Sequence, residues 1–339
     1  MRPHHFIKIV CAFLMLHAEL TSATTLKVAT ISPDGLSWMK KFRAGVKEVE
    51  VLTGGRVTFK IYPGGVQGDD ATVLRKMRIG QLHGGVLAAG SLTRFYPDLQ
   101  IYNLPLQFRS DAEVEYVRRN MDQMIADGLG DAGIITLAFI ETGFAYLMSK
   151  DPVTSVSDLR NLKAWIPDGD PIAAELVKSF GVSPIPLNIT DVLAGLQTGL
   201  IDAVMAPPAV ALALQWHNHV SYLTDLPLVY IYSTMALQER AFERVSSEDQ
   251  RIVRSILARV FLEIERETRV DNARALDAIS ALGIKSLIVS DEELSEWQTM
   301  ADRSVQNLIK SGEISEQSVR LYLKNLEFYR STDGASGID

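Results

Sequence analysis

Regular patterning begins at TTLKVATIS (Thr24–Ser32), an apolar-rich run of strand length. GLSWMKKFRAGVKEVEVLTGG follows, with Leu36, Met39, Phe42, Val46, Val49 and Leu52 at helical spacing and Gly54-Gly55 as its stop. RVTFKIYP (Arg56–Pro63) alternates as a second strand. DDATVLRKMRIGQLHGGVLAAG then predicts a capped helix, a break at Gly80 and a small apolar strand. Strands alternating with helices over such short links must pair in parallel, which makes this an α/β arrangement.

The second half repeats the layout. SVSDLRNLKAWIPDGDP predicts a strand over Leu162–Ile166, stopped by Pro167-Asp168-Gly169, with Lys163 and Trp165 on one face and Ala164 and Ile166 on the other. A helix from Pro171 to Phe180 ends at Gly181, a strand follows around Pro184–Pro186, and ITDVLAGLQTGLIDAVMAPP reads as helix, glycine, strand. The likeness of the halves suits two similar lobes, the alternative being the sameness of any strand–helix–strand unit. In open α/β sheets ligands sit beyond the carboxyl ends of the strands, so residues 86–94 and 204–210 are the expected cleft walls. The longest helical pattern, VSSEDQRIVRSILARVFLEIERETRVDNARALDAISALGI, exceeds thirty residues. It suits a brace across both halves, with a bend and a capping box from Ser247 to Gln250. Two amphipathic helices close the chain, and its last residues read as a frayed tail.

The N-terminus changes the picture. Arg2 and Lys8 precede an apolar run, Ile9–Leu16, too short to span a bilayer, and Thr21-Ser22-Ala23 offers a small-residue cleavage site. Residues 1–23 are expected to be a signal peptide for export to the periplasm, the alternative being a buried N-terminal helix. Cys11, the one cysteine, lies in this segment, which leaves the rest of the chain without disulfides or thiolate chemistry. With 47% apolar and 22% charged residues the 339-residue chain is globular, and a net charge of −7 disfavours a nucleic-acid partner.

Catalytic signatures are missing from the pattern. His217 and His219 in WHNH form the one metal-like pair, without a third ligand nearby. PGGVQGDD lacks the Lys-Ser/Thr of a phosphate loop, and Asp168-Gly169-Asp170 lacks the remaining ligands of a calcium loop. Neither enzymatic activity nor a cofactor or metal is expected.

Five stretches in order, IYPGGVQGDD, IGQLHGGVLAAG, NLPLQFRS, SVSDLRNLKAWIP and VLAGLQTGLIDAVMAPP, carry a resemblance. The chain resembles the periplasmic substrate-binding subunit of tripartite ATP-independent periplasmic (TRAP) transporters. The resemblance implies a two-lobed periplasmic-binding-protein fold, type II-like, with a long helix bracing both lobes and a cleft that closes on its ligand. Lobe I is expected at 24–144 and 233–275, lobe II at 145–232 and 276–330, and the tail at 331–339. The implied partners are a small-molecule ligand, the membrane permease subunits and, in a subset of such systems, an accessory helical-repeat periplasmic protein.

The resemblance also exposes departures. Where relatives carry the arginine that grips a ligand carboxylate in a bidentate fork, this chain has Trp165. A second arginine position is Ala145, and a polar position before the proline of the third cleft loop is Ala206. An indole cannot imitate a guanidinium, and a buried carboxylate without a cation costs several kcal/mol. The ligand is therefore expected to be apolar, aromatic or amphiphilic, with Phe144, Tyr146, Met205 and Trp216 as companions of Trp165 and with Arg94 or Lys163 as fallback anchors. The alternatives are an organic acid held by a relocated cation and an exported sensor that presents its ligand to a receptor.

Overall fold

A computed structural model describes residues 23–336, the side chains of 333–336 excepted. The expected signal peptide, Ala23 apart, and the last three residues of the expected tail lie outside the described residues.

The first half forms as the patterning requires. It holds β1 (Thr24–Ala29), α1 (Ser37–Leu52), β2 (Val57–Tyr62), α2 (Asp70–Arg78), β3 (Gly84–Ala88) and α3 (Asp111–Asp131). β1 pairs in parallel with β2 and with β3. The chain then enters β4 (Ile134–Ser149) and a second set: α4 (Val156–Leu159), β5 (Trp165–Pro167), α5 (Pro171–Ser179), β6 (Ile185–Leu187), α6 (Val192–Thr198), β7 (Ala203–Ala206) and α7 (Pro208–Ala213). After β8 (Tyr222–Thr224), β9 (Val229–Gln238) returns to the first half, followed by α8 (Glu239–Phe242) and α9 (Ser247–Ala281). β10 (Lys285–Leu287), α10 (Asp291–Ser311) and α11 (Glu316–Ser336) complete the chain.

One sheet runs β10-β8-β4-β9-β3-β1-β2, with β7 also on β4. β4 belongs to both halves: Ile134 to Ala145 lie against β9, while Tyr146 to Ser149 lie against β7. β5 and β6 form a parallel pair, joined to this sheet through the Ala164–Ala203 bridge. Alternation along the strands separates the cores on either face. In β3, Val86 and Leu87 enter different clusters; in β4, Leu147 and Met148 do the same for the second lobe.

α9 is the brace. Val253, Leu257 and Ile264 fill a core of the first lobe, and Ile279 fills one of the second. Its cap is Ser246, whose hydroxyl accepts from Asp249 N–H, one residue before the expected capping serine. The chain also departs from expectation at its end. α11 runs through Ser336 into the stretch read as a tail. Its Val319, Tyr322 and Leu326, with Leu308 of α10, pack into the first-lobe core beside α3 rather than with the second lobe. Asp98 fastens this return by accepting from the backbone N–H and hydroxyl of Ser315 and from the Ser318 hydroxyl, each at 2.6 Å. β5 is shorter than the expected strand, because Lys163 N–H is taken by Asp202 at 2.7 Å before the ladder begins.

Candidate functional site

β5 delivers Trp165 to the second lobe's core, and the turn after it is fixed locally. Gly169 adopts φ +76°, Asp170 caps α5 by accepting from Ala173 N–H at 3.0 Å, and Pro171 takes the first helical position. The Trp165 indole is 8% exposed and donates its N–H to Leu187 O at 2.9 Å. Its ring meets Trp216 edge-on, with centroids 5.2 Å apart. The ring is thus packed inside a lobe. Trp165 also contributes to the wall of an apolar cavity of about 60 Å³, shared with Leu106, Ala164, Met205 and Trp297.

The eight expected site residues are not brought to one place. Trp165, Trp216 and Ala206 share a cluster, with Tyr146 packed against it half-buried. Met205 faces the opposite side of β7 and joins the other second-lobe core, as strand alternation demands. Phe144 sits edge-on to Tyr230, 5.7 Å between centroids, against the first-lobe core. Ala145 is fully buried between β4 and β9, opposite Val229. Arg94 is exposed and lies over the Phe95 ring at 4.8 Å. Lys163 is exposed too, its ammonium donating to Gly199 O at the end of α6.

Sequence reasoning missed a buried ionic network where β4 crosses between the lobes. Arg269 of α9 donates Nε and Nη2 to Glu141 at 2.9–3.1 Å. Arg118 of α3 contacts Glu265 and Asp122, and Asp122 accepts from the Tyr102 hydroxyl at 2.8 Å. Burial pushes the Glu141 carboxyl up to about 7, against the opposing pull of Arg269. One turn on, Asn272 accepts from Ala209 N–H of α7 at 3.1 Å and donates to Thr142 O at 2.9 Å. These residues are far apart in sequence, and nothing local marks them.

A second missed group lies at the seam between the lobes. The Ala89–Leu92 turn after β3 approaches the β5–α5 loop so closely that a Cβ on Gly90 would stand 2.7 Å from Asp170 Oδ2. Gln100 bridges the seam by donating its amide to Asp170 Oδ1 at 3.0 Å, and Ile172 of α5 enters the first-lobe core. Asp70 reaches the same turn, accepting from Ala88 N–H and the Ser91 hydroxyl at 2.9 and 2.8 Å. The signal was the doubled acid in GDD: Asp69 alone caps α2, through Thr72 N–H at 2.8 Å, which leaves Asp70 free for another use.

Two α/β lobes that share β4, β9 and α9 and meet at their strand ends define a two-lobed solute-binding protein. The chain belongs to the bacterial extracellular solute-binding protein family 7, whose profile matches residues 28–311. It is similar to a solute-binding protein of Roseobacter denitrificans, 23% identical over 71% of this chain and 74% of that one. It is also similar to the C4-dicarboxylate-binding periplasmic protein of Rhodobacter capsulatus, 22% identical over 74% and 75%. Among solved structures, the sugar acid binding protein of Advenella mimigardefordensis in complex with galactonate superposes with a TM-score of 0.83. It is 18% identical and covers 90% of this chain and 98% of that one. A Bordetella pertussis extracytoplasmic solute receptor binding pyroglutamic acid gives 0.82 at 20% identity, over 90% and 100%. The resemblance to TRAP substrate-binding subunits and the two-lobed α/β fold it implied are thereby borne out. Members of this family are periplasmic receptors that bind small molecules and work with membrane permease components.

Proposed function

We propose that this protein is a receptor, not an enzyme, that carries an apolar or amphiphilic ligand to a TRAP-type permease. The reading rests on one observation: Trp165 and Ala206, which the resemblance matches to carboxylate-binding positions of the family, are buried in one apolar cluster, and Ala145, matched to a third, is fully buried opposite Val229. A carboxylate brought there would lose several kcal/mol of hydration with no cation to offset it. An apolar group is favoured instead, at roughly 25 cal/mol per Å² of surface removed from water. Residues 1–23 are proposed to direct export to the periplasm, and N-terminal sequencing of the secreted protein should then read from Thr24. An accessory helical-repeat protein joins the permease as a proposed partner.

The decisive experiment is mass spectrometry of what the purified protein releases on unfolding, followed by calorimetric titration of the stripped, refolded protein. An amphiphile should be recovered, and it should bind more tightly than a dicarboxylate of similar size. A tight dicarboxylate would overturn the ligand assignment. That outcome belongs to the second reading, an organic acid held by a cation elsewhere, which the acid-bound relatives favour.

A further inference from the structure

A concavity opens on the second lobe at the far end of α5 from the seam. It encloses about 390 Å³ between the ends of α4 and α5 and one face of α10, within the usual size of a small-molecule site. Glu296, Met300, Arg303 and Asn307 recur along α10 at helical spacing and so share the face that lines it. Its wall is divided by chemistry. Val156 and Phe180 are buried and Met300 is half-buried, which makes an apolar floor. Arg160, Lys178 and Arg303 stand around that floor, all three exposed.

The three cations have no side-chain partner. Among the described residues none of them forms an ion pair or donates a side-chain hydrogen bond. Nor are they spent on the end of α5, whose Leu176, Val177 and Lys178 carbonyls accept from the backbone N–H groups of Phe180, Val182 and Gly181. Arg160 nonetheless lies across that end, its Cγ and Nε 4.0 Å from where a Cβ on Gly181 would stand. Of the two carboxylates in the wall, Glu175 is engaged. Its Oε1 accepts from the Ser179 hydroxyl at 2.9 Å and the Asn307 amide at 2.8 Å, which ties α5 to α10. Glu296 is exposed. The three cations outweigh the two carboxylates by a single positive charge, on a chain whose net charge is −7.

An occupant must complement both parts of the wall. A bare inorganic anion leaves the floor wet, an alcohol leaves the cations unmatched, and a dianion overshoots the single charge. We infer that this concavity is a binding site, separate from the face between the lobes, for a small monocarboxylate. Its carboxylate lies among Arg160, Lys178 and Arg303, and its hydrocarbon body covers Val156, Phe180 and Met300. A guanidinium offers paired N–H groups to both carboxylate oxygens, which fixes the head, while the floor selects for a chain or ring behind it. The inference goes beyond the proposed function and does not depend on what the interlobe face carries.

Hexanoate, acetate and 1-hexanol test it on the stripped, refolded chain. The readout is the Met300 methyl resonance of protein with isotope-labelled methionine methyl groups, assigned with Met300→Leu, which reports on this site locally. Hexanoate should move that resonance with an affinity at least about tenfold above those of acetate and 1-hexanol. Arg160→Gln and Arg303→Gln should each weaken hexanoate by about tenfold and change 1-hexanol by less than about twofold. Thermal melts establish that each variant is folded. Hexanol binding as tightly as hexanoate removes the ionic head and overturns the inference. Acetate binding as tightly removes the apolar body and overturns it equally. A Met300 signal that hexanoate leaves in place, or moves with unchanged affinity in both arginine variants, also overturns it. The ligand between the lobes is tested separately, by mass spectrometry of what the protein releases.

Discussion

Trp165 shows how much one side chain decides. Its indole is held by a hydrogen bond and by a second tryptophan, so an arginine put in its place would bring a charge into an apolar cluster. Trp165→Arg should lower stability by several kcal/mol in urea unfolding. Trp165→Phe should cost only about 1 kcal/mol, because Leu187 O keeps its bond from Asp168 N–H. Glu141 carries a different signature. Its folded-state pKa is raised from 4.5 to about 7, so between those values the folded chain binds more protons than the unfolded one. Stability from this group is greatest below pH 4.5 and falls as pH rises toward 7. Glu141→Gln should flatten that slope, measured by urea melts at pH 5 and pH 7.5. The sequence located Trp165 but not its orientation, since a strand pattern says which residues share a face and not which body of the protein covers it. Glu141 was invisible, as its partner is 128 residues away.

Elements were legible wherever period and punctuation agreed. Strands β1 and β2, the helix before Gly80 and the 35-residue brace all fall where the pattern placed them. What escaped was how elements are joined. β4 is irregular between Glu141 and Gly143, where Gly143 adopts φ +111° and a Cβ would overlap the Asn272 amide. That amide ties the irregular strand to the first turn of α7, so the crossing strand, α7 and α9 are pinned at one point. Gly143→Ala should destabilise by about 2 kcal/mol or more, from the left-handed backbone and the clash together. Adding Asn272→Ala relieves only the clash, so the double variant should lose less than the sum of the two single losses in a double-mutant cycle.

At the scale of the whole molecule, a few members join the two lobes. α9 and β9 enter cores of both, β4 pairs with β9 and with β7, and α11 returns to strap the first. The composition gave class and length gave room for two lobes, but assigning α11 required its packing, because an amphipathic helix does not state which core its stripe will meet. The two lobes should therefore unfold in a single calorimetric transition, and a chain ending at Gly312 should lose the fold of the first lobe rather than merely a terminal helix. The narrowness of Gly90 has its own consequence. Any methyl there acts as a doorstop, since the facing carboxylate leaves it no space. On the proposed function, a Gly90→Val chain should hold its lobes apart and release its ligand faster, measured by stopped-flow dissociation.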